Sequence, residues 1–93
     1  MFNSKCSSTH VEKIVFDIIN LKYGEPQKIS KSITKISGYT AKYGVVESIN
    51  DYRCFSYACV LNTDYTIDVH ISNGYEGTTG TPQVVVNIIY YKN

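Results

Sequence analysis

The segment from Tyr65 to Ser72 alternates strictly between apolar and polar residues. Its apolar members are Tyr65, Ile67, Val69 and Ile71, and its polar members are Thr66, Asp68, His70 and Ser72. A repeat of two residues is typical of a β-strand with one face in the core and the other in water. The pattern therefore predicts a half-buried strand here.

Apolar residues near the N-terminus follow a different spacing. They fall at i, i+3, i+4, i+7 and i+8, which is the stripe of an amphipathic helix, namely Val11, Ile14, Val15, Ile18 and Ile19. Thr9 and Glu12 fit a capping box at its start. Gly24 and Pro26 are stop signals at its end. We expect a helix from about Thr9 to Tyr23.

Three further segments have the composition of strands, and they are 42–50, 52–61 and 83–91. Residues 27–41 are ambiguous, because their isoleucines have helical spacing while their serines and threonines weaken a helix. This segment is predicted to be either a short helix or an irregular edge strand.

A short hairpin loop, Asn62-Thr63-Asp64, joins two of these strands. In the simplest register Leu61 lies opposite Tyr65, and Ser56 lies opposite His70. The buried face of the first strand would then carry Phe55, Tyr57, Cys59 and Leu61. Its wetter face would carry Cys54, Ser56 and Ala58.

The elements together predict an α+β domain, with one N-terminal amphipathic helix packed on a three- to four-stranded antiparallel sheet. Ninety-three residues fit a single domain. We divide it into an N-terminal arm (1–8), the helix (9–23) and the antiparallel sheet (42–91). This order of elements resembles that of cystatin-like folds, and the resemblance concerns topology alone.

Both faces of the last predicted strand are apolar. The side that we expect to face the core carries Val84, Val86, Ile88 and Tyr90. The other side carries Val85, Asn87, Ile89 and Tyr91. Either something covers this apolar face, or it is a contact surface. These four residues, with Tyr75 in the Gly/Thr-rich loop 73–82, form the candidate interaction surface.

The cysteines offer little chemistry. On one extended strand Cys54 and Cys59 lie roughly 16 Å apart on opposite faces, which is too far for a disulfide. Cys59 is expected in the core, and Cys54 is a candidate to pair with Cys6 in an oxidising compartment. Cys54, Asp68 and His70 share a face in the predicted register, but they lack paired ligand spacing. We expect no catalytic residue, no metal and no cofactor.

The net charge is +1. The segment from Lys22 to Lys42 holds five lysines and one acid, and a solvated surface explains it. Near-neutral charge argues against nucleic acid as a partner. No apolar run approaches the ~20 residues of a transmembrane helix, and the first residues lack the apolar region of a secretory signal.

Two short stretches carry a family resemblance. Cys6-Ser7-Ser8 precedes the predicted helix, and the Tyr52-Arg53-Cys54 strand precedes Tyr65–Val69. In this the chain resembles small bacterial envelope lipoproteins, often encoded in prophage or plasmid regions. The resemblance implies a lipid on Cys6 as the contact with the membrane. Asn3-Ser4-Lys5 is not a lipobox, so an envelope location requires a removed signal segment, and otherwise the chain is cytoplasmic.

The sequence favours a small non-enzymatic protein-interaction module, such as the soluble domain of an envelope lipoprotein. The alternative is a cytoplasmic mobile-element inhibitor or immunity-type protein that binds a protein target. A homodimer closed by the apolar outer face is an equally simple use of that surface. A Cys54/His70 enzyme and a nucleic-acid binder rank below these.

Overall fold

A computed structural model describes residues 8–18, 20–78 and 81–93 of the chain. Within those ranges the chain forms strands, turns and irregular segments and contains no helix. The six strands are β1 (Thr9–Asp17), β2 (Gln27–Ser32), β3 (Tyr39–Ile49), β4 (Cys54–Leu61), β5 (Thr66–Asn73) and β6 (Gln83–Lys92).

The strands form two three-stranded antiparallel sheets, with strand orders β1-β6-β3 and β2-β5-β4. We call them the first and the second sheet. Their inner faces pack together around one apolar cluster, whose buried members are Phe16, Ile18, Leu21, Ile33, Cys54, Ile67, Val69, Ile71, Val84, Val86, Ile88 and Tyr90. Full burial of a branched aliphatic side chain contributes about 1.5–3 kcal/mol, so this cluster is the main source of stability.

The predicted N-terminal helix is wrong, and the fold is all-β instead of α+β. Residues 9–17 form β1, which pairs with β6 from Thr9 opposite Tyr91 to Asp17 opposite Gln83. Ile14 and Phe16, two residues apart, point inward, while Val11 and Val15 point outward. The β-branched composition suits such a strand better than a helix.

The chain turns after β1 at the predicted stop signals. Gly24 has a φ of 73°, as expected of a left-handed glycine, and Asn20 also has a positive φ of 54°. These residues form a connection between strands and not the end of a helix. Ile19, which the helical stripe included, lies outside the described residues.

The residues of β5 and β6 that the alternating pattern predicts to face the core are buried as predicted. Ile67, Val69 and Ile71 of β5 are fully buried. The four inward residues predicted on β6 are also fully buried, and they are Val84, Val86, Ile88 and Tyr90. The central strand of each sheet is therefore the element that the sequence pattern describes best.

The predicted register of the β4–β5 hairpin is wrong. Leu61 lies opposite Ile67 instead of Tyr65, and a bulge between Ser56 and Ala58 shifts the pairing again. Counted from the hairpin, the extra residue reverses the faces of the β4 side chains that precede the bulge in the chain. Cys54 therefore faces the core, with 9% of its surface exposed.

Two aromatic side chains of β4 also lie on the face opposite to the predicted one. Phe55 and Tyr57, predicted on the buried face, are 50% and 55% exposed.

The ambiguous segment 27–41 supplies β2, an edge strand paired with β5 from Gln27 opposite Ile71 to Ser32 opposite Thr66. The strand predicted at 42–50 exists as β3 and starts earlier, at Tyr39. The sheets therefore extend well beyond the predicted range 42–91, because β1 and β2 belong to them.

Gly44 marks a close approach of the two sheets. A Cβ added to this residue of β3 would lie 2.7 Å from Ile67 Cδ1 and 3.2 Å from Cys59 Sγ. Real Cβ atoms do not come so close, so the packing at this point requires the absence of a side chain.

Candidate interaction face

The outward side of the first sheet carries a set of apolar side chains that no other part of the described chain covers. We call this surface the outer face. Its apolar members are Val11 and Val15 of β1, Tyr43 and Val45 of β3, and Val85, Ile89 and Tyr91 of β6. Five of the seven are between 39% and 52% exposed, while Val85 and Ile89 are half-buried by their neighbours.

Strand pairing places these residues in rows across the sheet. Ile89 lies between Val11 on one side and Tyr43 on the other. The rings of Tyr43 and Tyr91 meet edge to face, with centroids 6.4 Å apart. The hydrogen bond with Tyr91 raises the pKa of Tyr43. Cross-strand pairs of this kind stabilise the sheet and form an apolar row across its surface.

A small polar cluster lies at the centre of the outer face. Lys13 of β1 lies 3.1 Å from Glu47 of β3, and Asn87 of β6 between them donates a hydrogen bond to Glu47 at 2.9 Å. The hydrogen bond from Asn87, followed by that from Lys13, lowers the pKa of Glu47. The Asn87 Oδ1 atom is buried without a hydrogen-bond partner among the described residues. The centre of the face thus presents one positive and one negative charge among apolar side chains, and Asp17 lies at one end of the face, where it accepts a hydrogen bond from Gln83.

The edges of the first sheet are less open to a partner than its face. At the free edge of β1, the Val15 carbonyl accepts a hydrogen bond of 2.6 Å from Lys31 Nζ. The same ammonium group lies 5.6 Å from the centre of the Phe16 ring. At the other edge, β3 has two irregularities in its pairing with β6. Lysines and bulges at edge strands hinder the addition of another strand.

The predicted surface residues lie in two separate places. Val85, Asn87, Ile89 and Tyr91 lie together on the outer face. Tyr75 instead packs its ring edge to face on Tyr52 at 5.5 Å, next to the Arg53 guanidinium, which lies 5.9 Å from the Tyr52 ring. Tyr75 therefore belongs to a separate aromatic cluster, and residues 79 and 80 of its loop lie outside the described residues.

The predicted cysteine chemistry does not assemble in the fold. Cys54 faces the core opposite Asn73, whereas His70 points outward opposite Ala58, with its ring 5.7 Å from that of Tyr57. The two side chains are on opposite sides of the second sheet, so they cannot act together as nucleophile and base. Cys6, the predicted lipidation or disulfide residue, lies outside the described residues.

Cys54 and Cys59 are not joined by a disulfide. Burial raises the pKa of the Cys59 thiol, which lowers its reactivity at neutral pH. Within residues 8–18, 20–78 and 81–93, no three His, Cys, Asp or Glu side chains lie close enough together to hold a metal ion.

Polar side chains on the outward side of the second sheet are engaged with one another. Asp68 accepts hydrogen bonds from Ser30 and from Asn62, the latter at 3.0 Å. These two bonds, together with the nearby charges of Lys28 and His70, lower the pKa of Asp68. The carboxylate is therefore ionised and held in place, which suits a structural role.

A pocket of about 270 Å³ opens beside the β4–β5 hairpin. Its lining is formed by Ile33, Thr40, Ala41, Leu61, Asn62, Thr63 and Tyr65. None of these side chains is charged, and the Thr40 hydroxyl and the Asn62 amide already bond to other residues of the chain. The pocket is slightly smaller than a typical small-molecule site, which has a volume of about 300–1,000 Å³.

Sequence reasoning missed half of the outer face. Val11 and Val15 were assigned to a helical stripe, and Tyr43 and Val45 of β3 were not connected with the last strand. The available signal was the β-branched character of the apolar residues Val11, Ile14 and Val15, which favours a strand over a helix. The pairing of β1 and β3 with β6 cannot be derived from local pattern alone.

Comparisons with known protein families, with curated proteins and with solved structures give no match to this chain. No helix in the described part of the chain is long and apolar enough to cross a membrane. The outer face itself is therefore the basis for assigning a function.

Proposed function

We propose that this chain is a non-enzymatic protein-interaction module that binds a protein through the outer face. The observation that carries the proposal is the apolar band on the outward side of the first sheet, in which five of the seven side chains are at least 39% exposed. Scattered exposed apolar residues are normal, whereas apolar residues grouped on one face of a sheet are typical of an interaction site.

The composition of this face supports a protein partner. Tyr43 and Tyr91 offer rigid aromatic area with polar tips, which is common in the centre of protein interfaces. The valines and Ile89 between them provide a flat apolar surface with little side-chain entropy to lose. A nucleic acid would require a positively charged surface, and this face carries one lysine beside one glutamate.

The remaining polar groups support a binding role without chemistry. Asp68 is bonded to Ser30 and Asn62, and Glu12 is bonded to Thr34 and Tyr90. The proposal covers both settings that the sequence suggests, the soluble domain of an envelope lipoprotein and a cytoplasmic inhibitor or immunity-type protein.

Site-specific photocrosslinking in the cells that produce the protein tests the proposal. A photoreactive amino acid replaces Ile89 on the outer face, and in a matched control it replaces His70 on the outward side of the second sheet. We expect a discrete crosslinked protein adduct from position 89 and none from position 70. Absence of an adduct at 89, or the same adducts from both positions, would contradict the proposal.

A further inference from the structure

We infer that the partner of the outer face is a second copy of this chain, bound face to face about a two-fold axis that runs parallel to β6. The inference depends on the proposed function, because it identifies the occupant of the same surface. Its basis is the placement of the two opposite charges, Lys13 and Glu47, on either side of the central strand.

The two charged groups meet over the central strand of the outer face. Lys13 of β1 lies directly opposite Asn87 of β6. On the other side Val45 of β3 lies opposite Asn87, and the carboxylate of Glu47, at the irregularity between Val46 and Ser48, extends back to accept the hydrogen bond from Asn87. In the sheet order β1-β6-β3, the positive and negative groups therefore flank the central strand at one height.

A two-fold axis along β6 exchanges the two flanking strands between copies. Strand β1 of one copy then covers β3 of the other, so Lys13 lies over the partner's Glu47, and this contact occurs twice. The apolar rows match in the same arrangement, since Val11 covers the partner's Tyr43 and Ile89 meets its own counterpart. Sheets that pack in this aligned manner are a common architecture, with side chains interdigitating between them.

The charges also disfavour the other face-to-face arrangement. An axis through Asn87 and perpendicular to β6 would place Lys13 over the partner's Lys13 and Glu47 over the partner's Glu47. Like charges brought together in an interface cost several kcal/mol. The outer face is therefore self-complementary in one orientation, which is the property that an isologous interface requires.

The size of the face predicts a weak dimer. Three strands and about nine residues per strand give a surface of roughly 15 Å by 30 Å. This is at the small end of specific interfaces, so we expect a dissociation constant in the micromolar range. Lys13 and Glu47 have 58% and 40% of their side-chain surface exposed in the single chain, which leaves both available to a second copy.

Sedimentation equilibrium of the purified protein, over about 1 µM to about 1 mM, tests the inference. We expect the unmodified chain to dimerise in this range. Lys13→Glu and Glu47→Lys should each weaken self-association about tenfold or more, because each places like charges opposite each other. An equimolar mixture of the two variants should recover the affinity, since each mixed dimer again places opposite charges at both of its cross-interface contacts. Lys28→Glu on the second sheet is the matched control and should leave the dimer unchanged.

The mixture keeps the test independent of folding, because two misfolded variants would not restore each other. A monomer at every concentration would overturn the inference, and so would single charge reversals without effect or a mixture that fails to associate. A monomer that still gives a position-89 adduct with a different protein would overturn only the second copy as partner. Absence of both dimer and adduct would remove the proposed function as well.

Discussion

Replacement of Tyr90 by Phe tests how much the hydrogen bond between Tyr90 and Glu12 contributes to the stability of the fold. The Tyr90 side chain is fully buried, and its hydroxyl donates to Glu12 Oε1 at 2.6 Å. The hydroxyl oxygen also lies 2.7 Å from the Thr34 carbonyl oxygen. The hydroxyl therefore links β6 to β1 and to the segment that follows β2, whereas the ring would keep its packing in the variant.

The expected loss of stability depends on the hydrogen bonds that Glu12 keeps in the variant. A hydrogen bond to a charged group contributes about 1.5–3 kcal/mol. Glu12 keeps two bonds from Thr34 in the variant, 3.1 Å from the backbone N–H and 2.6 Å from the hydroxyl. We therefore expect Tyr90→Phe to lower the free energy of unfolding by about 1–2 kcal/mol at neutral pH, a large fraction of the stability of a small domain.

The loss of stability in Tyr90→Phe should depend on pH, because the hydrogen-bond acceptor is the carboxylate of Glu12. Burial alone would raise the pKa of Glu12, but hydrogen bonds from Thr34 and Tyr90 outweigh burial and lower it below its ordinary value of 4.5. A lowered pKa in the folded state means that the ionised group stabilises the fold above the ordinary value. That contribution disappears as the pH falls through the lowered pKa, and the cost of Tyr90→Phe should shrink with it.

Urea unfolding at neutral pH and at about pH 3 measures both effects. Tyr52→Phe is the matched control, because Tyr52 is 83% exposed and its hydroxyl can bond to water. We expect the control to remain within about 0.5 kcal/mol of the unmodified chain. A Tyr90→Phe variant as stable as the control, or a loss that is the same at both pH values, would refute the reasoning.

Two further predictions concern the contact between the sheets. Gly44→Ala would place a Cβ 2.7 Å from Ile67 Cδ1, so we expect the free energy of unfolding to fall by about 1–3 kcal/mol in urea titrations. Gly74→Ala, whose nearest neighbour would be 3.4 Å away, should change it by less than about 0.5 kcal/mol, and equal effects would contradict the packing. Thiol labelling mapped by mass spectrometry should modify Cys54 and Cys59 at least about tenfold more slowly in the native chain than in urea. Rapid native labelling of Cys54 would contradict its inward orientation.

The central strands of both sheets could be predicted from the sequence. Strand β5 has one face in the core and one in water, so its alternation is strict and its burial follows directly. Strand β6 lies between β1 and β3, and its inward set from Val84 to Tyr90 was assigned correctly. In both cases the local pattern and the three-dimensional environment agree.

The faces of β4 could not be predicted, because they depend on one residue of register. The bulge between Ser56 and Ala58 reverses the orientation of everything before it, which moves Cys54 into the core and Phe55 into solvent. Nothing in the composition of this strand indicates a bulge at that point. The predicted register placed Cys54 and His70 on one face of the sheet, and that placement depended on an unbroken strand and fails for this reason.

The wrongly predicted helix and the candidate interaction face have the same origin. In β1, Val11 and Val15 point outward while Ile14 points inward, and these three residues together have the i, i+3, i+4 spacing of an amphipathic helix. Apolar residues on both sides are typical of strands whose two faces are both covered. Within the described chain only the inner side of β1 is covered. The feature that made the secondary-structure prediction wrong is therefore also the one that favours a partner on the outer face, and a second copy would supply a surface of complementary charge.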